Sequence, residues 1–353
     1  MKKATIYQAI IGLLLVGLMV SAVVIFLAYQ RPLGKSLEID LGETDQQPAS
    51  VSTSEQVVQA TSVPKATASA AETDEVETEE TAEAKDAVCG MTGQMNILIV
   101  ASDDNWWVEP AGADAVRLAR VDFDNQEILV YALPRDLLVD TPSYKNYGFE
   151  RVRLGPLYYK VLQAEKPDKD AYYTAVNAVA QTIYDNFGVE VDHYIDVRGT
   201  EDLTDIIDQI GKIEIDVAKK FEDKSVALKL SMGTQKIDGE TALLYMRPLD
   251  APEEEWNRIT RQNEVLEGLV RKLADPAIIT EIPSLYKKYS DTVATDLSVE
   301  QIVGMACLAD KVDFENIQLK SVSKGMVTVE PQGVMVVNDP NALKNEIQGY
   351  FAN

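Results

Sequence analysis

Polar side chains suited to phosphate binding stand at the ends of three consecutive apolar runs. The runs cover residues 96–101, 115–121 and 128–133, and the polar residues at their ends are Asp103, Asp104, Asp114, Arg135 and Asp136. A guanidinium group binds two phosphate oxygens at once, and carboxylates bind a divalent cation that also contacts phosphate. Side chains at the ends of neighbouring strands can meet at one edge of a sheet, where α/β proteins place their ligands. The pattern indicates phosphate chemistry, and solvated surface ion pairs are the alternative interpretation.

The three apolar runs predict strands, and helices alternate with further strands downstream. Apolar spacing predicts helices over 170–187, 201–209, 239–246, 258–273 and 299–308 and from Pro340, and strands over 189–197, 213–217 and between 317 and 337. Gly188 follows the first of these helices, and glycine commonly ends a helix. Strands that alternate with helices predict an α/β fold with a mixed central β-sheet flanked by helices.

Charge and composition exclude several functional classes. The chain has 33 basic and 57 acidic residues, a net charge of −24, which argues against nucleic-acid binding through a basic surface. The chain has one histidine, His193, and its two cysteines do not have the spacing of metal ligands. A zinc site, or a catalytic site that uses two histidines, is therefore not expected. A lone histidine within a predicted strand indicates a structural role. A polyanionic substrate would have to be bound by a local cluster of arginines.

The N-terminal part of the chain predicts a membrane anchor. Residues 1–8 form a short tail, and residues 9–28 contain no charged side chain. Twenty residues of helix cross about 30 Å of hydrocarbon. A cleavable signal peptide is the alternative, but its apolar core is normally shorter, at ~7–15 residues, and a small-residue cleavage site should follow. Lys2 and Lys3 place the N-terminus in the cytoplasm and the C-terminal part outside the cell, in a single-pass arrangement.

An acidic linker is predicted between this anchor and the folded domain. Residues 29–88 are rich in Ala, Ser, Thr and Glu, and the run 72–86 is strongly acidic. Such a segment buries too little apolar surface to offset the entropy lost on ordering. We therefore predict a disordered linker over 29–88 that extends by charge repulsion and holds one extracellular domain, residues 89–353, away from the membrane.

Five motifs occur in one order along residues 90–353. They are NILIVASD at 96–103, the isolated Asp114, LPRDLLVDTP at 133–142, DGETALLYMR at 238–247 and RITRQ at 258–262. In type and order these motifs resemble the LytR-CpsA-Psr family of cell-wall glycopolymer ligases. The resemblance covers nearly all of the predicted extracellular part and implies layered α-β-α architecture.

The resemblance implies a membrane-anchored phosphotransferase. Such an enzyme moves a glycopolymer from a polyprenyl pyrophosphate to a hydroxyl of peptidoglycan, with Mg²⁺ or Mn²⁺ on the pyrophosphate. Asp103 and Asp114 would bind the metal and activate the hydroxyl. The residues that would hold the phosphates are Arg135, Arg247, Arg258 and Arg261, with Gln262 beside them. Phosphoryl transfer depends mainly on positioning and charge neutralisation, which suits this set.

Several positions depart from the family pattern. Asn105, Gly112 or Ala113, and Leu249 stand where the family usually has arginine. Arg117, Arg120, Arg151 and Arg153 lie nearby in the sequence, and Arg117 and Arg151 are our candidates to replace the missing charges. Strand alternation puts Arg117 and Arg120 on opposite faces, so at most one of them faces the site. The alternative function is a protein that binds a polyprenyl phosphate or a wall glycan without turnover.

Two further features leave alternatives open. The apolar residues Val265, Leu266, Leu269 and Val270 either line a channel for the lipid tail or pack in the core. Cys89 and Cys307 are the two cysteines of the chain, and an extracellular domain would favour a disulfide between them. A buried free thiol at Cys307 is the alternative.

Overall fold

The secondary structure is described in a computed structural model for residues 34–41, 88–102, 112–165, 169–247, 254–313 and 316–351. In chain order the strands are β1 (Gln94–Ser102), β2 (Ala113–Asp122), β3 (Glu127–Leu133), β4 (Leu138–Asp140), β5 (Arg151–Arg153), β6 (His193–Arg198), β7 (Ile213–Val217), β8 (Phe221–Asp223), β9 (Leu228–Leu230), β10 (Gly233–Ile237), β11 (Val293–Thr295), β12 (Ile317–Ser321), β13 (Val327–Val329) and β14 (Met335–Val337). The helices are α1 (Leu154–Glu165), α2 (Lys169–Phe187), α3 (Thr200–Ile210), α4 (Gly239–Met246), α5 (Glu254–Leu273), α6 (Pro276–Ile279), α7 (Ile282–Lys288), α8 (Val299–Lys311) and α9 (Pro340–Phe351).

The central sheet has the strand order β11-β6-β1-β2-β3-β12. β1, β2 and β3 form an antiparallel meander, whereas β6 pairs in parallel with β1 and β12 in parallel with β3. The sheet is therefore mixed, as predicted. Because neighbouring strands of the meander run in opposite directions, the end of β1, the start of β2 and the end of β3 lie together. We call this the site end of the sheet, and it is marked by Ser102, Ala113 and Leu133.

Helices cover both faces of the sheet, and the alternation of side chains along the strands divides the core in two. Leu98, Val116 and Tyr131 face α1, α2 and α9 on one side. Ile97 and Val130 face α8 on the other, where α5 also contributes Leu266 and Val270. A third cluster lies between α3, α4, α5 and the β7–β10 pair, and it contains Val265 and Leu269. The four apolar side chains of α5 therefore pack in the core, as one of the two sequence interpretations held.

Most predicted elements are confirmed, and three boundaries differ by three residues or more. The predicted helix 299–308 continues to Lys311. The predicted helix 258–273 begins one turn earlier, at Glu254, so Glu255 belongs to α5. The predicted strand 189–197 forms only from His193 to Arg198. Val189 and Val191 are buried in the core but form no strand. Their apolar alternation is that of a strand, which is why the sequence predicted one here.

A disulfide joins Cys89 to Cys307, with their Cα atoms 5.9 Å apart. It ties the start of the folded domain to α8 and confirms the pairing over the free thiol. His193 has the structural environment expected of it, since its Nδ1 lies 3.2 Å from Asp296 and its Nε2 lies 3.0 Å from the amide of Gln301.

The predicted tail, the predicted span 9–28 and most of the predicted linker lie outside the described residues. Among the residues that are described, no helix combines the length and apolarity needed to cross a bilayer. Residues 34–40 are described, and they belong to the same compact unit as the domain. They lie along α2 instead of forming part of a disordered linker, so the linker prediction does not hold for them.

Candidate active site

Asp114 and Arg135 form an ion pair at the site end of the sheet. The register between β1 and β2 shifts here, because Ala101 pairs with Ala115 while Ser102 pairs with Ala113. Asp114 is the extra residue of this β-bulge, and a bulge redirects the side chain of the residue that it leaves unpaired. Asp114 Oδ1 accepts a hydrogen bond from Arg135 Nη1. The Asp114 side chain remains 35% exposed, so it can still reach a ligand.

Two glycines allow the backbone of α1 to approach this ion pair. A Cβ atom on Gly155 would lie 2.5 Å from the carbonyl oxygen of Ala113 and 2.9 Å from Arg135 Cβ. A Cβ atom on Gly112, where φ is +159°, would lie 2.7 Å from the carbonyl oxygen of Gly155. Gly155 N also donates to the carbonyl oxygen of Arg135. The start of α1 thus holds Arg135 beside Asp114.

A second charged cluster lies next to the first and is almost fully buried. It consists of Arg117 on β2 and of Glu255 and Arg258 on the first turns of α5, which are 5%, 6% and 3% exposed. Glu255 and Arg258 form an ion pair one helical turn apart. Glu255 Oε1 also accepts from the backbone N–H of Arg135, at 3.3 Å, which joins the two clusters.

The buried cluster contains one arginine donor without a hydrogen-bond partner. Arg258 Nη2 and Glu255 Oε2 are the two atoms of the Glu255–Arg258 ion pair, whereas Arg258 Nε is buried and makes no hydrogen bond. Leaving such a group unsatisfied costs free energy unless a ligand binds it. Arg258 Nε is therefore available to bind an anion at the site end of the sheet.

Arg117 is held in place by amide side chains from α5. Its Nη1 donates to Asn263 Oδ1 at 2.5 Å and its Nη2 donates to Gln262 Oε1 at 3.2 Å. Burial lowers the pKa of Arg117 to about 10, while the carboxylate of Glu255 acts in the opposite direction. The guanidinium is still protonated at neutral pH. Arg117 thus adds a positive charge to the cluster, and Gln262 positions it.

Arg261 lies one turn further along α5 and points to a different place. Its Nε donates to the carbonyl oxygen of Tyr245 at 2.8 Å, and its guanidinium lies 5.2 Å from the ring centre of Phe221. There it lines a cavity of about 310 Å³, together with Lys219, Asn257 and other residues of α5 and of the segment that leads into β8. The structure therefore does not place Arg261 in the same cluster as Arg258.

The remaining predicted site residues are distributed as follows. Arg247 is exposed and ends α4. Arg151 pairs with Asp140 at 2.9 Å on the exposed β4–β5 hairpin, and Arg120 pairs with Asp122 on the sheet face opposite Arg117. The structure does not bring Arg151 to the buried arginines. Asp103 and the positions Asn105 and Leu249 lie outside the described residues.

A buried polar group that the sequence analysis missed supports the end of β6. Asp196 is fully buried and accepts hydrogen bonds from Arg198 Nε at 2.8 Å and from the Tyr158 hydroxyl at 3.1 Å. Burial raises the pKa of Asp196, and the charge of Arg198 opposes that shift. The two residues are two apart on one strand and so share a face, which is the sequence signal for their contact. Arg198 pairs in register with Ser102, the last described residue before Asp103.

Glu255 was also missed. The signal was present, because an acid three residues before an arginine on a helix lies on the same face as that arginine. It was hidden by the prediction that the helix begins at Arg258.

The donor chemistry at this end fits a hard divalent cation only in part. Asp114 provides carboxylate oxygen, the ligand that Mg²⁺ prefers. Among the described residues there is no group of three or more side chains able to hold a metal ion by themselves.

Comparison with known families decides the relationship. The LytR_cpsA_psr family model matches residues 58–348 of the chain. The chain belongs to this family. Among curated relatives, it is 22% identical over 211 residues to the polyisoprenyl-teichoic acid–peptidoglycan teichoic acid transferase TagU of Enterococcus faecalis, which is 60% of this chain and 63% of TagU. It is also 22% identical over 216 residues to the regulatory protein MsrR of Staphylococcus aureus, 59% of each chain. The chain thus spans about three fifths of the length of these relatives.

Solved structures of family members share the fold. B. subtilis TagV superposes with a TM-score of 0.58 at 18% identity, over 74% of this chain and 98% of that one. TagT bound to LI-WTA superposes with a TM-score of 0.53 at 18% identity, over 77% of this chain and 98% of that one. The mixed central sheet flanked by helices is therefore the fold of the LytR-CpsA-Psr family.

The structure gives a physical reason for one departure from the family pattern. At Gly112 the backbone of Gly155 and Pro156 occupies the space that any side chain would need. Ala113 is fully buried in the core. Gly112 therefore has no room for an arginine, and the buried arginines beside the site end are Arg117, Arg135 and Arg258.

Proposed function

We propose that this protein is a membrane-anchored phosphotransferase that moves a glycopolymer from a polyprenyl pyrophosphate to a hydroxyl of peptidoglycan. The observation that carries the proposal is the buried cluster of Arg117, Arg135 and Arg258 at the site end of the sheet, with Arg258 Nε unused. Asp114 and Glu255 pair with two of the three guanidinium groups, so the cluster keeps an excess of positive charge that suits a pyrophosphate.

Family membership supports the reaction class. The relative from E. faecalis is named as a transferase of polyisoprenyl-linked teichoic acid to peptidoglycan, and one structural neighbour is described as bound to LI-WTA. The glycopolymer and the peptidoglycan acceptor of this chain are inferred from those names. The N-terminal anchor and the extracellular position of the domain are likewise part of the proposal, in agreement with the disulfide between Cys89 and Cys307.

Each group has a role in the proposed transfer. Arg135, Arg117 and Arg258 bind the pyrophosphate oxygens and neutralise charge. The acceptor hydroxyl attacks the phosphorus that carries the glycan, the bond from that phosphorus to the lipid phosphate oxygen breaks, and a carboxylate of the pair Asp103 and Asp114 takes the hydroxyl proton. Mg²⁺ or Mn²⁺, when bound, offsets the charge of the pyrophosphate. Asp114 would hold it, with Asp103 and substrate oxygens as the other ligands.

Binding without turnover is the second candidate. Glu255 favours it, because a buried carboxylate between the arginines offsets one of the charges available for the transition state. The two candidates differ in their products, since only the phosphotransferase releases a polyprenyl monophosphate.

Lipid extraction followed by mass spectrometry tests the proposal. The purified full-length protein in detergent is given a polyprenyl-pyrophosphate-linked glycan and peptidoglycan fragments, with Arg135→Ala and Arg151→Ala tested in parallel. We expect transfer by the unsubstituted chain and by Arg151→Ala, and loss of both lipid binding and transfer in Arg135→Ala. Bound lipid without product would favour the binding protein, and equal lipid binding by Arg135→Ala would remove the role assigned to that residue.

A further inference from the structure

Residues 34–40 form an extended strap along α2. Asn177 and Gln181 on α2 each make two hydrogen bonds to the backbone of one strap residue. The amide oxygen accepts one of them and the amide NH2 group donates the other. Asn177 Oδ1 accepts from Glu38 N at 2.8 Å and its Nδ2 donates to the Glu38 carbonyl at 2.9 Å. Gln181 pairs in the same way with Asp40, at 2.7 and 3.0 Å. Further along the strap, the Tyr173 hydroxyl donates to the carbonyl oxygen of Ser36 at 2.8 Å.

The strap and the helix have matching repeats. Asn177 and Gln181 are four residues apart, about 6 Å along a helix. Glu38 and Asp40 are two residues apart, roughly 6.6 Å along an extended chain. Burial alternates in step with this arrangement, since Leu37 and Ile39 are half-buried against the core and Glu38 and Asp40 are exposed. The matching repeats thus fix which strap residue binds which side chain of α2.

The first residue of the strap is held closely at the edge of the sheet. A Cβ atom on Gly34 would lie 1.9 Å from the hydroxyl oxygen of Tyr194 and 3.1 Å from the carbonyl oxygen of Thr295. Lys35 then pairs with Asp170 at the start of α2. The strap therefore runs in the same direction as α2, and its N-terminal end lies near the N-terminal end of that helix.

The N-terminal end of α2 lies near the site end of the sheet. The guanidinium of Arg198, at the end of β6, lies 4.3 Å from the ring centre of Tyr172 on the first turn of α2. Arg198 is in register with Ser102 at the end of β1. The C-terminal end of α2 leads to the opposite end of the sheet, where the carbonyl of Glu190 accepts from the Asn96 side chain.

The length of chain before the strap limits its distance from a membrane. If residues 9–28 span the bilayer, the residues between Ala28 and Gly34 extend over roughly 20 Å at most. Without the strap, the connection would run through residue 87 and could extend over roughly 200 Å. The docked strap therefore shortens the longest possible connection between the bilayer and the domain from roughly 200 Å to roughly 20 Å.

The site end also carries the features of a surface that contacts anionic lipid. The β8–β9 hairpin flanks the first turns of α5, since Phe221 packs under Arg261 and the cavity beside them is lined by Lys219 and Asn257. Lys219, Lys220, Lys224 and Lys229 are exposed in and before the hairpin. Glu222 and Asp223 lie among them, and Lys220 pairs with Glu222 at 3.1 Å, so these four lysines and two acids leave a net charge of +2 in a chain of net charge −24. Val226 and Met232 are 41% and 71% exposed beside them. Lysines around exposed apolar side chains are typical of segments that contact anionic membranes.

We propose that the strap 34–40 holds the domain on the surface of an anionic bilayer with the site end facing the lipid. This inference rests on the membrane anchor of the proposed function and adds an orientation to it. The active site then opens towards the leaflet in which a polyprenyl substrate is dissolved.

Fluorescence quenching in lipid nanodiscs tests the orientation. The full-length protein carries a single label at Met232→Cys, at the site end, or at Glu190→Cys, at the opposite end, in nanodiscs whose anionic lipids bear spin labels on their headgroups. We expect at least threefold stronger quenching at position 232 than at position 190. In the double variant Asn177→Ala/Gln181→Ala we expect the ratio to fall towards one.

A matched control is present on the same helix. Asn186 on α2 pairs through both ends of its amide with the backbone of Asp140, at 3.0 and 2.8 Å, but touches β4 and not the strap. Asn186→Ala should therefore keep the quenching ratio. Glu38→Pro removes the N–H that Asn177 accepts and leaves α2 intact, so it should lower the ratio even if the double variant folds poorly.

Several results would overturn the orientation. Equal quenching at the two positions, an absence of quenching at both, or an unchanged ratio in Glu38→Pro would each show that the strap does not orient the domain. The readout does not depend on catalysis. If the unsubstituted protein transfers no glycopolymer but still shows the expected quenching ratio, the proposed function is refuted and this inference stands.

Discussion

At the scale of single residues, the site depends on a buried arginine that its neighbours satisfy only in part. Burying a guanidinium costs several kcal/mol, and one carboxylate partner offsets this only if the remaining donors are also bound. Arg258 is 3% exposed and pairs with Glu255 through Nη2, yet its Nε makes no hydrogen bond. A pyrophosphate would complete the set, which connects ligand binding to stability.

Arg258→Lys should weaken pyrophosphate binding at least tenfold. Lysine keeps the charge but loses the planar fork that binds two oxygens at once. The measurement is the rise in unfolding temperature produced by inorganic pyrophosphate. Arg271→Lys, on the same helix and in an exposed ion pair with Glu267, is the control and should behave as the unsubstituted chain. An equal thermal shift for Arg258→Lys would contradict the assignment.

Metal binding should require the substrate. Asp114 and Asp103 are two carboxylates, too few for a dedicated cage, and Mg²⁺ usually keeps water and substrate oxygens as its other ligands. We expect calorimetry to detect Mg²⁺ binding in the presence of pyrophosphate and little without it. Asp114→Asn should abolish the difference. Equally tight binding with and without pyrophosphate would count against a shared site.

At the scale of elements, the site is assembled by a meander, a bulge and a close helix contact. The meander brings the ends of β1 and β3 to the start of β2, the bulge turns Asp114 out of the ladder, and α1 packs against both through Gly155. The meander, the bulge and the Gly155 contact are backbone features that set the positions of charged side chains. Changing one of them should therefore weaken pyrophosphate binding by displacing those side chains, without removing any charge.

Gly155→Ala should damage the site without removing any polar group. The added Cβ would lie 2.5 Å from the Ala113 carbonyl oxygen, so α1 must move away from Arg135. We expect a loss of roughly 1–3 kcal/mol in the free energy of unfolding, typical of overpacking, measured by denaturant titration. Pyrophosphate affinity should fall as well.

Gly349→Ala is the matched control for that substitution. Gly349 lies in α9, and a Cβ atom there would have no heavy atom within 4 Å. Alanine in a helix is favoured over glycine by roughly 0.5–1 kcal/mol, so this variant should be slightly more stable and bind normally. If both glycine variants behaved alike, close packing at Gly155 would not be the cause.

At the scale of the whole molecule, the disulfide closes almost the entire folded domain. Cys89 and Cys307 are 218 residues apart, and the chain-entropy relation gives a loop of that size roughly 5 kcal/mol of stabilisation. Cys89 lies next to the first strand, and Gly304 on α8 is close to Met91, so the bond fixes the start of the domain against α8. Its effect should be global.

Reduction should lower the unfolding temperature by roughly 10 °C, since a domain of this size loses about 2 °C for each kcal/mol. The measurement is thermal unfolding with and without reductant. The variant Cys89→Ser/Cys307→Ser should unfold near the temperature of the reduced protein and should not respond to reductant. Two free thiols in the denatured, unreduced chain would refute the bond.

Local pattern alone determined much of this protein. The presence and order of β1, β2 and β3, the limits of α4 and the start of α9 follow from apolar periodicity and from glycine and proline at element ends, which act over a few residues. The opposite directions of Arg117 and Arg120 follow from strand alternation. The ordered motifs predicted the family. These features depend on neighbours in sequence, so the sequence contains them in full.

Tertiary packing alone decided which charged groups meet. Arg258 and Arg261 are one turn apart on α5, yet one faces the sheet and the other packs on Phe221, because the surroundings of a helix differ from side to side. Arg151 is near the site in sequence but pairs with Asp140 on a hairpin. The docking of residues 34–40 depends on Asn177 and Gln181, which lie 139 and 141 residues from the strap residues that they bind. Contacts of such separation arise only when the whole fold brings distant elements into register.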